Sequence, residues 1–209
     1  MKILIWDFNG TIVDDLDLCV EIENIMLRER GIREGITRQE YMDHFHFPVI
    51  DYYYWLGYTF ENETYEQVSV QFNQMYEEGF DQCGLMAGYH EKIHEAKQKG
   101  YQNVILSASK QDDLRKQCAI LGITDDFLEI LGMDNNLAHS KIEMAKHWMI
   151  RSGVSPDDCT YIGDTTHDLE TARALGVTNY TLIATGHQSY EVLRAETDKV
   201  VHTLSEVVL

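Results

Sequence analysis

The feature that most constrains the fold is a short apolar run that recurs along the chain and ends each time on polar, chemistry-bearing residues. Residues 2–6 read KILIW and stop at Asp7-Phe8-Asn9-Gly10-Thr11. Continuous apolar runs of this length, bounded by turn residues, are the signature of strands buried on both faces. Three more follow, at Asn103–Ser107, Cys159–Gly163 and Thr178–Ala184, each leading into a helix-like stretch at 110–121, 165–175 and 188–196. A further apolar stretch, Phe127–Leu131, precedes a helix-like segment at 140–152. Strands alternating with helices at this spacing predict βαβ units, a parallel sheet and helices on both of its faces.

Residues 14–86 break the pattern. They carry helical periodicity, no convincing buried strand and no lysine, and residues 41–80 hold 13 of the chain's 22 aromatic residues. The expectation is an α/β core of residues 1–13 and 87–209, with a Rossmann-like parallel sheet, interrupted by an all-helical cap domain at 14–86.

Charge narrows the partners. The 209 residues contain 35 Asp and Glu against 17 Lys and Arg, a formal net charge of −18. Nucleic acid and anionic lipid surfaces are bound through Lys and Arg, so both are excluded as expected partners. A small phosphorylated metabolite is not, because a few local cations or a metal override the global field. No segment approaches the ~20 apolar residues of a membrane span, and MKILIWDF turns acidic too early for the apolar region of a signal peptide. The four cysteines, Cys19, Cys83, Cys118 and Cys159, are scattered without a CxxC pair. Reduced thiols and a cytoplasmic setting are expected; the oligomeric state is not legible.

In open α/β sheets ligands sit beyond the carboxyl ends of the strands. Those ends carry Asp7, Asn9 and Thr11; Ser107, Ala108 and Ser109; and Asp164 with Asp168 one helical turn on, while Lys141 opens the segment at 140–152. Carboxylates, hydroxyls and one ammonium in a single crevice suit phosphoryl transfer. Mg²⁺ takes oxygen ligands, commonly one or two carboxylates plus phosphate and water, a role open to Asp7 and Asp164. An Asp beside the metal can attack phosphorus and form an aspartyl-phosphate. Ser107 and Lys141 fit the need for fixed donors around the phosphoryl oxygens, and Asp168 fits a metal-supporting role.

DFNGT, VILSAS, the isolated Lys141 and GDTTHD occur in the order and spacing of the four motifs of the haloacid dehalogenase superfamily, which the sequence resembles along essentially its whole length. The helical insertion after the first motif is similar to that of the phosphoglycolate phosphatase and β-phosphoglucomutase branch. The resemblance implies a Rossmann-like core under a mobile helical cap, with Mg²⁺-dependent phosphoryl transfer through Asp7. It further implies that Asn9 gives a backbone carbonyl to the metal, with Asp7, Asp164 and Asp168 as the other metal residues. Thr11, Ser107, Ala108 and Lys141 would hold the phosphoryl group.

One position departs from the family. Phosphatases and mutases carry Asp two residues after the nucleophile, as general acid and base; here it is Asn9, whose amide cannot exchange a proton at neutral pH. Loss of that assistance costs ~10²–10⁴ in rate. A weak or specialised hydrolase, a decayed catalyst and an introduced Asp→Asn change all fit the sequence, as do a phosphotransferase or a non-catalytic phosphate binder; a dehalogenase fits less well. Ile142, where the family usually has Pro after the third-motif Lys, is a milder departure.

Other patterns carry bland readings. His90-Glu91-Lys92-Ile93-His94 matches HExxH, but no third ligand stands at a matching spacing, so helix surface is expected. Tyr52-Tyr53-Tyr54-Trp55 is read chiefly as core packing, with His46, Arg38 and Tyr52 the guesses for residues facing the substrate. Residues 14–86 contain 16 acids and four bases. A leaving group with further negative charge is therefore expected to be disfavoured, and neutral, aromatic or cationic ones tolerated.

Overall fold

A computed structural model of the chain describes residues 1–133 and 140–209. Strand β1 (Lys2–Trp6) is the centre of the molecule. Its alternating side chains feed two cores: Leu4 and Trp6 pack into the cluster shared with residues of the 14–86 segment, Ile3 and Ile5 into the one on the opposite face. All four are fully buried, as a central parallel strand requires.

After β1 the chain forms β2 (Val13–Asp14), then the helices α1 (Leu16–Glu29), α2 (Arg38–His44), α3 (Val49–Leu56) and α4 (Tyr65–Gly79), and returns through β3 (Gly84–Leu85). β2 and β3 pair antiparallel as a two-stranded ribbon at the neck of this helical insert. The expectation of an all-helical insert at 14–86 is corrected at its two edges by these short pieces. The helix starts were readable: Thr37 and Glu40 form a reciprocal capping box on α2, and Thr64 and Gln67 form one on α4.

The remaining chain alternates as α5 (Tyr89–Gln98), β4 (Tyr101–Lys110), α6 (Gln111–Ile120), β5 (Glu129–Met133), α7 (Lys141–Ser152), β6 (Cys159–Gly163), α8 (Thr166–Leu175), β7 (Asn179–Ile183), α9 (Tyr190–Glu196) and β8 (Val200–Val201). Strand β5 starts two residues later than the apolar run suggests. A 3₁₀ turn at Thr124–Asp126 takes up the Phe127 N–H, and Leu128 N–H donates to the Asn103 carbonyl at 2.8 Å.

The six strands β5-β4-β1-β6-β7-β8 form one parallel sheet, the α/β architecture expected. The chain steps outward from β1 to β4 and β5, then crosses back to β6 on the other side of β1. That reversal opens a crevice at the carboxyl ends of β1, β4 and β6, where such sheets place their sites. The four cysteines are unpaired. Among the described residues no helix is long and apolar enough to cross a membrane.

Candidate active site

The Asp7 N–H donates to the Ile162 carbonyl at 2.9 Å, which pins the end of β1 to β6 and turns the Asp7 side chain into the crevice. The next turn is tight: the Phe8 carbonyl accepts from Ile12 N–H at 2.8 Å and Val13 N–H at 3.0 Å. Gly10 sits in it at φ +70°, and a Cβ there would lie 2.2 Å from Asp164 Oδ2. Gly186, on the loop after β7, approaches the same oxygen as closely. Glycine on both sides is what lets Asp164, from the end of β6, reach the crevice.

Asp164 is oriented by the Thr11 hydroxyl, which donates to Oδ1 at 3.1 Å, and by the His187 N–H, which donates to Oδ2 at 2.6 Å. Lys141, at the first turn of α7, is buried and donates to both Asp7 and Asp168, the latter at 2.6 Å. Asp168 is saturated. Its Oδ1 also accepts from the Tyr161 hydroxyl, and its Oδ2 from the Thr165 hydroxyl at 2.7 Å and the N–H groups of Thr165 and Asp164.

Asp7 and Asp168 share the single Lys141 ammonium and Asp164 lies beside them without a lysine of its own, so ionised the three carboxylates exceed the one ammonium among them. Burial pushes the Asp7 carboxyl up; repulsion from Asp168 adds to this, and Lys141 only partly offsets it. Burial likewise pushes Asp164 up to about 7, against the pull of His187. Asp168 is the exception: Lys141 and the Thr165 hydrogen bond outweigh its burial and hold it below the usual range. Ligand oxygens of Asp7, Asp164 and Asp168 lie within 4.8 Å of one another. Hard oxygen donors with unbalanced negative charge match what Mg²⁺ requires.

Ser107, at the carboxyl end of β4, accepts from the Ser109 N–H at 3.1 Å; the Ser109 hydroxyl donates on to Asn9 Oδ1 at 3.0 Å. Neither serine caps α6, whose N-cap is Lys110. Asp7, Asn9, Ser107, Ala108, Lys141 and Asp164 all line one cavity of about 500 Å³. Thr11 and Asp168 lie behind it, bonded to Asp164 and Lys141. The sequence-predicted residues therefore converge.

The sequence reading missed a second buried cluster. Asn9 Nδ2 donates to Asp15 Oδ2 at 2.8 Å and to the Tyr76 hydroxyl at 2.7 Å, and that hydroxyl donates to Asp15 at 2.7 Å. Asp15 also accepts from Gly10 N–H and pairs with His187 Nε2 at 3.2 Å, while His187 Nδ1 meets the Tyr41 hydroxyl. The charge of Asp15 outweighs the burial of His187 and raises it to about 9. The charge and hydrogen bond of His187, with those from Asn9 and Tyr76, outweigh burial at Asp15 and hold it low. The available signals were the second acid of Asp14-Asp15 and a histidine three residues after the Thr178–Ala184 run.

The helical insert forms the opposite wall, through Glu23, Tyr41, Phe45, Tyr53, Tyr65 and Tyr76 among others. The guesses for this wall are corrected: none of His46, Arg38 or Tyr52 lines the cavity. Arg38 pairs with Asp17 at 2.9 Å on the surface, His46 Nδ1 turns to the His44 carbonyl, and Tyr52 is fully buried in the aromatic core. The HExxH histidines lie on α5 away from the crevice, His94 bonding to Gln98.

Solved structures share this architecture. A haloacid dehalogenase-like hydrolase from Bacteroides fragilis superposes with a TM-score of 0.83 at 20% identity, covering 99% of both chains. A haloacid dehalogenase-like family hydrolase from Streptococcus pneumoniae gives 0.76 at 18%, over 97% of this chain and 94% of its own. A predicted phosphoglycolate phosphatase from Haemophilus somnus gives 0.73 at 17%, with the same coverages. No curated protein matches the sequence. The family model for haloacid dehalogenase-like hydrolases matches residues 4–181, most of the chain, and together with the sheet order and the convergence at Asp7 it makes this chain a member of that family.

Proposed function

We propose that the protein is a Mg²⁺-dependent phosphatase of a small phosphate monoester, acting through an aspartyl-phosphate at Asp7. The observation that carries this reading is Asp7, held against Lys141 beside Asp164 in a buried crevice. Asp7, the Asn9 backbone carbonyl and Asp164 are the oxygens that would hold the metal, and Asp168 supports them by fixing Lys141. Bound Mg²⁺ supplies screening of the charge on the phosphoryl oxygens and on the nucleophile.

Lys141, the Ser107 hydroxyl and the backbone at Ala108 hold the phosphoryl group, while Thr11 acts through Asp164. A carboxylate oxygen of Asp7 forms the new bond to phosphorus, and the ester oxygen leaves with the bonding electron pair and takes its proton from water. A second water then attacks the aspartyl-phosphate, releasing inorganic phosphate and regenerating Asp7. Closure of the helical insert over the cavity would keep bulk water out during the first step.

One observation favours a phosphotransferase as the second reading. The Asn9 amide, bonded to Asp15, Tyr76 and Ser109, cannot take a proton from the attacking water, which lengthens the life of the aspartyl-phosphate. The test is a panel of aryl, acyl and alkyl phosphates with Mg²⁺, with and without alcohol acceptors. Turnover that needs the metal and disappears in Asp7→Ala supports the phosphatase; transfer to the acceptor above release to water supports the second reading. Absence of turnover together with absence of Mg²⁺-dependent phosphate binding would overturn both. Phosphoglycolate is expected to be a poor substrate, because its carboxylate would meet no Lys or Arg on the insert wall; Lys110, which also lines the cavity, stands on the core side.

A further inference from the structure

One wall of the cavity has no part in phosphoryl chemistry. Asp15, Cys19 and Glu23 follow at four-residue spacing into and along α1, stack on one side of that helix, and all line the cavity. Asp15 touches Asn9 beside the nucleophile, and Glu23 stands roughly 12 Å of helix rise further on. Glu23 is 2% exposed; the Tyr53 hydroxyl stands beside its carboxyl, and Oε2 has no hydrogen-bond partner among the described residues. A buried carboxyl oxygen in a cavity wall with no donor of its own calls for a donor from a ligand.

The surroundings say which donor. The rings of Tyr41, Tyr53, Tyr65, Phe72 and Tyr76 line the same cavity, and aromatic faces attract cations. The base nearest in charge to Glu23 is taken: Arg30 makes a forked pair with Glu63 and bonds to Gln71 at 2.6 Å. Residues 14–86 hold no lysine, and none of their four arginines lines the cavity. Burial pushes the Glu23 carboxyl up to about 8, so an arriving ammonium displaces its proton to solvent and leaves a carboxylate–ammonium pair. A hydroxyl would fill the same hydrogen bond without using the charge.

We infer that the substrate's leaving group carries a primary or secondary ammonium at its far end, received by Glu23 between the tyrosine rings. The substrate class is the phosphate monoester of an amino alcohol whose amine lies several carbons from the ester oxygen. A two-carbon spacer cannot cover the helix rise between Asp15 and Glu23. This inference rests on the phosphatase reading above.

The test is hydrolysis of alkyl phosphates of graded length ending in amine, hydroxyl or carboxylate, with p-nitrophenyl phosphate as a neutral reference. For the longer esters, kcat/KM is expected to be at least tenfold higher for the amine than for the matched hydroxyl, and lowest for the carboxylate. The amine preference should vanish at the shortest length. In Glu23→Gln the amine-to-hydroxyl ratio should fall toward one, and Glu23→Asp should retain part of it; thermal melts establish that each variant is folded. The length dependence in the unmodified chain needs no variant. Asp7-dependent hydrolysis of the reference with equal amine and hydroxyl rates at every length overturns this inference and leaves the phosphatase standing. An amine preference that survives Glu23→Gln also overturns it. Failure to hydrolyse any ester, the reference included, removes both.

Discussion

The Asn9 side-chain amide donates to the Asp15 carboxylate over 2.8 Å, so the carboxylate that the family carries two residues after its nucleophile here stands six residues further along, against the same loop. Asp15 is neutralised by His187, and the Asn9 carbonyl oxygen is met by the Ser109 hydroxyl. Both polar atoms of the Asn9 side chain are matched by partners that suit an amide. An aspartate there would keep the Ser109 donor but turn its other oxygen on Asp15 with no proton between the two.

Asn9→Asp alone is therefore expected to destabilise the protein by about 3 kcal/mol, because it replaces a part-buried hydrogen bond with a pair of like charges. Chemical denaturation at neutral pH measures this. Asn9→Asp with Asp15→Asn restores both the charge count and the donor. Gains in alkyl phosphate hydrolysis, ~10²-fold or more, are expected only in the double variant.

Asp7→Asn should lower turnover by at least ~10⁴-fold while raising stability in the absence of metal. The ionised Asp7 carboxylate is disfavoured by burial and by Asp168 more than Lys141 favours it. Relief of about 1 kcal/mol corresponds to ~2–4 °C in Tm for a chain of this size. A melting temperature that falls instead would show that the Lys141 pair dominates.

Gly186→Ala places a methyl group 2.2 Å from Asp164 Oδ2 and 2.5 Å from the Gly10 carbonyl oxygen, neither of which is the end of a long flexible side chain. Displacement of Asp164 should weaken Mg²⁺ binding by tenfold or more, read by calorimetric titration, with a smaller effect on the fold. An alanine at Gly84, where a Cβ would meet nothing and the backbone is not left-handed, is the control for glycine replacement itself.

Stability should fall as pH rises from about 5 to 8. The folded Glu23 carboxyl holds its proton up to about 8, whereas the unfolded chain gives it up near 4.5. Its contribution is complete below 4.5 and lost as pH rises through 8, with a slope of about 1.4 kcal/mol per pH unit between. Asp164, raised to about 7, and His187, raised to about 9, act in the same sense. Asp15 and Asp168, held low, titrate below this window. Glu23→Gln should flatten the slope by about one group's worth, seen as urea midpoints that converge with the parent's at low pH and exceed them at high pH.

What the sequence by itself determined is local. The apolar runs place β1 and β6 to the residue, because a strand buried on both faces must be continuously apolar and must stop where polar groups begin. The same stops deliver Asp7, Ser107 and Asp164 to one edge of the sheet, since parallel strands all end there. The capping residues of α2 and α4 are likewise written in four consecutive residues each. The tertiary structure alone decided what meets across the crevice. Asp15 and His187 are 172 positions apart, and no periodicity links them; they pair because the loop after β7 is carried by a sheet whose order reverses at β1. Arg30 was as available in the sequence as Arg38, yet Glu63 removes it from the cavity while Glu23 remains there with an unpartnered oxygen. Hydrophobic periodicity encodes which residues are buried, whereas charge pairing depends on which buried residues the completed packing brings within a few ångströms.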